Sequence, residues 1–171
     1  MKIISDTGPI IGLAKIGKII LLNEIADEVI IPQMVYKELF GKTGPESNEI
    51  DQALNTFIIV KKDIALDETA KIEIAGLDEG EKQAIGLAFQ LDSDVILLID
   101  DRAGRRVTAR MNISTTGLIG LLLVAKERGV IQSVGILIKE LRENGYWLSD
   151  EIVKIASEGA TGLQPVEPSL N

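Results

Sequence analysis

Lys2-Ile3-Ile4-Ser5-Asp6-Thr7-Gly8-Pro9 is the stretch that decides how this chain is read. A short apolar run predicts a strand over Lys2–Ser5 and ends abruptly in a carboxylate. A Gly-Pro pair then opens a predicted helix over residues 10–16. Asp6 therefore stands where a strand hands over to a helix. In open parallel sheets, ligands collect beyond the carboxyl ends of the strands. Val95-Ile96-Leu97-Leu98-Ile99 repeats the arrangement, followed at once by Asp100-Asp101. A continuous apolar run of this kind suits a strand buried on both faces.

Working outward, shorter apolar runs predict strands over 29–32, 57–61 and 113–115. Helices are expected over 18–26, Gln33–Phe40, 46–55, Glu79–Leu91, 102–111, 118–128 and 133–144. Ser149-Asp150-Glu151 opens a last helix with an N-cap serine and acids in its first turn. Residues 62–75 are polar and irregular and receive no assignment. Neither an internal repeat nor an interdomain linker is visible. The expectation is one domain over 1–158 and a flexible tail over 159–171. Strands alternating with helices require crossover connections. The fold class is therefore α/β, a three-layer α/β/α sandwich with a mainly parallel central sheet.

Composition removes several chemistries. There is no cysteine and no histidine. Thiol nucleophiles, imidazole bases, the Ser-His-Asp triad and His-ligated zinc are excluded together. Hydrolysis here must rest on carboxylates, lysine, hydroxyls or a hard metal ion. The net charge of −8 argues against a protein that coats nucleic acid through general basicity. The charge is uneven, however: residues 51–100 carry a net of −7, and residues 101–130 a net of +4. Asp6 interrupts the first apolar run too early for a secretory signal. Lys15 and Lys18 rule out a membrane span over 10–22. A cytoplasmic location is expected.

Four acids share a pattern. Asp6 and the Asp100-Asp101 pair end strands that a parallel sheet would align. Glu38 falls on the apolar stripe of Met34, Val35 and Leu39. Glu81 falls on the stripe of Ala84, Ile85 and Ala88. A carboxylate on a buried stripe is costly unless something pairs it, and neither stripe carries a lysine. A divalent cation shared with Asp6 and Asp101 would relieve these burials together. Each acid also has a structural alternative. Asp6, Asp100 or Asp101 could cap a helix. Asp78-x-x-Glu81 has capping-box spacing, and Glu38 could bridge to Lys42. Magnesium and manganese favour oxygen ligands and keep several waters, and metal-activated water hydrolyses phosphodiesters without histidine.

Ser5-Asp6-Thr7, Val35-Tyr36-Lys37-Glu38-Leu39, Gly80-Glu81 with Ala84-Ile85, and Leu97-Leu98-Ile99-Asp100-Asp101-Arg102 together resemble a PIN domain. The resemblance spans roughly residues 1–155 and is closest to a branch with Gly-Glu and Asp-Asp-Arg steps and a Thr-Gly turn, here Thr116-Gly117. It implies catalytic acids at Asp6, Glu38, Glu81 and Asp101, with Asp100 the alternative to Asp101. It implies Mg2+ or Mn2+ held by Asp6, Glu81 and Asp101 or Asp100, and cleavage of single-stranded RNA by a metal-activated water. It also implies kinship with toxin ribonucleases of the VapC type, a small antitoxin protein as partner, and a homodimer. Thr7 matches the small hydroxyl that follows the first acid. Gly8 departs from the pattern, which often has Ser or another small residue there.

Arg102, Arg106 and Arg110 recur every fourth residue, so they share a helix face after the acids. With Thr7 they are the candidate substrate contacts, guiding the phosphate backbone; the alternative is a solvated face. Tyr146-Trp147 could stack on bases, but core or dimer contact is the favoured reading. Asp6-Thr7-Gly8 also spells the aspartic-protease motif. That chemistry needs two aspartates sharing a proton, and no second copy is present. A phosphotransfer receiver lacks its lysine after a later strand. The remaining competitor is a catalytically silent PIN-like module that binds RNA or a protein partner.

Overall fold

Isoleucine, valine and leucine fill the strands, and alternate residues project to opposite faces. In β1 (Lys2–Ser5), Ile3 joins one hydrophobic core and Ile4 the other. In β2 (Glu28–Pro32), Val29 and Ile31 enter the first core and Ile30 the second. In β4 (Val95–Leu98), Leu98 faces the first core and Leu97 the second. Strands apolar on both faces need a helical layer on each side. The computed structural model, which describes residues 1–41, 44–65, 68–91, 94–150 and 153–154, has that three-layer architecture.

The sheet order is β3-β2-β1-β4-β5, with β3 at Ile58–Lys61 and β5 at Thr115–Thr116; every pairing is parallel. The first layer holds α1 (Thr7–Lys15), α2 (Leu21–Ile25), α4 (Ser47–Thr56), α8 (Leu118–Glu127) and α9 (Val134–Glu143). The second holds α5 (Glu68–Ile74), α6 (Glu79–Leu91) and α7 (Arg102–Arg110). Helix α3 (Gln33–Phe40) buries Val35 and Leu39 in the first core. From β1 the chain winds outward to β2 and β3, then returns to the other side of β1 for β4 and β5. The strand order thus reverses between β1 and β4. In open parallel sheets such a reversal forms a crevice beyond the carboxyl ends of the two strands. The amide of Asp6 donates to the Leu98 carbonyl at 3.0 Å, which ties the two strand ends together.

Several boundaries differ from expectation for local reasons. Helix α1 begins at Thr7, because Pro9 lies in its first turn, where no amide donor is needed. Helix α2 is short, following a left-handed turn at Gly17 (φ 62°). Strand β5 is at Thr115–Thr116 because Ile113 instead closes α7, its amide donating to the Thr108 carbonyl at 2.9 Å. Asn112, at φ 54°, makes that turn. Helix α5 occupies part of the stretch that received no assignment. The expected last helix shows one turn, with Val153 donating to the Ser149 carbonyl at 3.1 Å. Its Glu151 and the tail over 159–171 lie outside the described residues. No helix among the described residues is long and apolar enough to cross a membrane.

Burial ranks the strands energetically. Ile4 is fully buried in the central strand, whereas Ile59 of the edge strand is 44% exposed. Ile4→Ala should destabilise the protein by about 2–5 kcal/mol through lost burial and the cavity left behind. Ile59→Ala should cost about 1 kcal/mol or less. Urea unfolding of the two variants checks the contrast.

Candidate active site

Parallel topology aims the N-termini of α1, α6, α7 and α8 at the crevice, and each brings an acid or a contact to one. Helix N-termini carry partial positive charge and favour carboxylates nearby. Asp6 holds the N-cap position of α1, yet its side chain accepts no capping hydrogen bond. Burial, first, and the charges of Asp78 and Glu38 push its pKa from 3.8 up to about 6; the Thr7 and Gly8 amides offset this only in part. Desolvation and like charge outweigh the helix dipole here.

Glu38 reaches the crevice from α3. The Thr7 hydroxyl donates to Glu38 Oε2. On the other side of the carboxylate lies Gly80, where a Cβ would come within 2.6 Å of Glu38 Oε1. The Gly80-Glu81 step thus has a steric reason: α6 can approach Glu38 only without a side chain at this position. The alternative partner, Lys42, lies outside the described residues.

Glu81 is 7% exposed. It completes the capping box anticipated from its spacing: its amide donates to Asp78 Oδ1 at 2.8 Å, and Glu81 Oε2 accepts from the Asp78 amide at 3.2 Å. The same side chain also faces the other acids. Burial, then the charges of Asp78, Asp101 and Asp6, push its pKa from 4.5 up to about 7, although the Asp78 amide pulls the other way. Capping and crowding therefore coexist in one residue. Asp78, read from the sequence only as a cap, is a fifth acid whose charge acts on both Asp6 and Glu81. Its Asp-x-x-Glu spacing was the signal, and a local motif absorbed it.

The Asp100-Asp101 pair divides. Asp101 caps α7, with Oδ2 accepting from the Gly104 amide at 2.8 Å, and is otherwise exposed toward the crevice. A Cβ on Gly104 would lie 3.7 Å from Glu81 Oε1, so Gly104 stands between the two acids. Asp100 is committed on both oxygens. Oδ1 accepts from the Leu118 amide at the start of α8 at 2.9 Å, and Oδ2 accepts from the Tyr146 hydroxyl. A Cβ on Gly117 would sit 2.5 Å from Asp100 Oδ1, which explains the Thr116-Gly117 turn. Tyr146 thus contacts a site acid, a role the core reading missed. Burial, then Asp100, push its pKa well up, so the phenol stays protonated as a donor.

The structure brings Asp6, Thr7, Glu38, Glu81 and Asp101 to one crevice and puts Asp100 to structural use beside it. Among the described residues, no three acidic side chains converge into a ready-made cation cage. The donor set is all oxygen and mutually repelling. That suits a hard divalent ion that keeps part of its water shell and needs few direct ligands. The arginines do not act as one group. Arg102 and Arg106 are exposed, but Arg110 Nε is paired with Glu73 Oε2 at 2.9 Å. It lies about 12 Å further along α7 than Arg102, on the helical rise per residue.

A parallel 3-2-1-4-5 sheet with acids gathered at its switch point defines this chain as a PIN-domain protein, a class whose members are generally divalent-metal-dependent nucleases. More specifically, the chain belongs to the DUF3368 family of PIN domains, whose model matches residues 2–160. Its fold is similar to that of a PilT N-terminus domain protein, SSO1118, from the hyperthermophilic archaeon Sulfolobus solfataricus P2. That match has a TM-score of 0.54 and 18% identity, covering 71% of this chain and 91% of that one. No curated protein matches the sequence.

The raised values carry a stability consequence. Asp6 and Glu81 bind protons more tightly folded than unfolded, so they favour the folded state below their ordinary values. That contribution is lost as pH rises toward about 6 and about 7 respectively. Without divalent ions, Asp6→Asn should be more stable than the parent at pH 8, by on the order of 1–3 kcal/mol, and nearly equal near pH 4. Thermal unfolding of both proteins in chelator at the two pH values measures the difference.

Proposed function

We propose that this chain is a metal-dependent ribonuclease that cleaves single-stranded RNA. The observation that carries this reading is the crowding of Asp6, Glu38, Glu81 and Asp101, with Asp78, at one crevice, where burial first and neighbouring acids second drive Asp6 and Glu81 toward neutrality. Asp6, Glu81 and Asp101 would hold Mg2+ or Mn2+; Asp100 is a poorer candidate because both of its oxygens are engaged. Bound there, the ion supplies Lewis acidity for a phosphate oxygen and readies a water for attack. The protein's own groups do the rest. Thr7 fixes Glu38 by hydrogen bonding. Reciprocal hydrogen bonds with Asp78 hold Glu81 in place among the ligands. Arg102 sits in the first turn of α7, where the helix dipole disfavours a cation. Its placement is therefore better explained by a phosphate than by helix stability, and Arg106 extends the same face.

The finer reading, a toxin paired with a small antitoxin protein, acting in the cytoplasm and forming a homodimer, rests on the resemblance to the toxin members. The competing reading is a catalytically silent module. It draws on the absence of a ready-made cage among the described residues. Calorimetry separates the two: a silent module takes up neither magnesium nor manganese at millimolar levels.

With manganese and a labelled single-stranded RNA, the chain should show cleavage that rises with pH as the site acids ionise and take up the ion, since burial holds Asp6 and Glu81 protonated without it. Asp6→Asn and Asp101→Asn should each lower kcat/KM by about 100-fold or more. Equal cleavage by parent and Asp6→Asn protein would mean a contaminating nuclease. A second variant tests the glycine step. Gly80→Ala should lower activity by about 10-fold or more by displacing Glu38, with little change in fold by circular dichroism.

A further inference from the structure

Helix α9 ends in a tight turn. Gly145 adopts φ 76°, its amide donates to the Arg142 carbonyl at 3.0 Å, and the Tyr146 amide donates to the Leu141 carbonyl at 2.8 Å. This is a Schellman-type stop, which fixes the direction of the residues that follow. The next three side chains go in different directions. Tyr146 turns inward: its ring packs where a Cβ on Gly12 would be only 2.7 Å away, and its hydroxyl donates to Asp100. Leu148 is buried in the first core at 9% exposure. Between these two anchors Trp147 points outward at 83% exposure. It is the only tryptophan in the sequence. Its backbone is held from both sides, so the indole is presented to solvent by the turn itself.

An open cleft of about 470 Å³ lies beside it, lined among others by Arg142, Tyr146, Trp147 and Asp150. Arg142 Nη2 meets Asp150 Oδ1 at 3.1 Å, so the cleft offers both donors and an acceptor beside an aromatic face. Lys15 Nζ lies 4.0 Å from where a Cβ on Gly145 would be, and adds positive charge at the same turn. The cleft and the acids are one tyrosine side chain apart, since Tyr146 lines the first and bonds Asp100 beside the second.

We propose that this cleft is a nucleobase subsite, in which one unpaired base of a single-stranded RNA stacks on the Trp147 indole while a neighbouring phosphate lies at the acids. This rests on the ribonuclease reading above. Stacking on an aromatic side chain is the usual device for holding single strands, because every base has a π-face. Arg142 and Asp150 supply edge contacts that could discriminate among bases. Tyr146 is the positioning residue that joins the subsite to the crevice.

The single tryptophan makes the test direct. A short labelled oligoribonucleotide is titrated against the full chain in chelator, and against Asp6→Asn protein in magnesium, following indole emission and the anisotropy of the label. Saturable quenching should coincide with the rise in anisotropy, and matched duplex RNA should give none. Trp147→Ala should weaken binding roughly 5- to 100-fold, with Trp147→Phe keeping most of the affinity. Tyr146→Phe should lower kcat more than it raises KM. RNA binding with unchanged emission and an unchanged Kd for Trp147→Ala would overturn the subsite, as would no binding at all. Emission that shifts with protein concentration alone would place a second copy of the chain on the indole, and would overturn it too. Quenching without cleavage in manganese would keep the subsite and remove the ribonuclease. Cleavage without quenching would do the reverse.

Discussion

Negative side chains pressed together at the end of a sheet dominate this molecule. Winding β1, β2 and β3 one way and β4 and β5 the other opens a crevice between β1 and β4. The same winding delivers Asp6 and Asp101 to it from the strand ends and Glu38 and Glu81 from helices α3 and α6. Four helix N-termini aim at the crevice and lessen the repulsion without cancelling it. Burial, with the neighbouring acids second to it, leaves Asp6 and Glu81 displaced upward to about 6 and about 7. A fold gains nothing from such an arrangement in isolation. It is intelligible as a place where something positive, or a phosphate accompanied by something positive, is received.

The glycines around the crevice follow from the same crowding. Gly80 leaves room for the Glu38 carboxylate, Gly104 for Ile99 and Glu81, and Gly117 for Asp100. In each case a methyl group would meet either an acid or the residue that supports one. These positions are set by close approach rather than by unusual backbone angles, since none of the three has a positive φ. The neighbouring pair of aspartates shows how adjacent identical residues divide labour. Asp100 is clamped by an amide of α8 and a phenol from the end of α9, so it braces these two elements against β4. Asp101 makes one capping bond, and its charge bears on Glu81.

Much of the fold was legible because the strands are short, apolar and β-branched, and the longer helices are amphipathic. Gln33–Phe40 and Glu79–Leu91 have the boundaries their periodicity predicts. Helix α5 was not legible, because its seven residues are too few to set a hydrophobic period. The candidate acids could be picked out because a carboxylate on an apolar stripe, or at the end of an apolar strand, breaks a local rule. Asp78 and Tyr146 obey local rules, one as a helix cap and the other as a partly buried aromatic. Their immediate sequence marks a cap and an aromatic, and carries no sign that either meets the site acids.

By itself the sequence determined the chemistry available: oxygen ligands only, no imidazole, no thiol, and acids where strands end or stripes are buried. Those properties are local, written in residue type and spacing of a few positions. Tertiary structure alone decided which acids meet, that Asp100 is spent on bracing while Asp101 faces the crevice, that Arg110 is occupied by Glu73, and that Trp147 is turned outward while its neighbours are buried. Each of these depends on contacts between residues tens of positions apart, such as Thr7 with Glu38 or Asp100 with Tyr146. Their energies exist only once the parallel sheet has closed the distance, and no local pattern carries them.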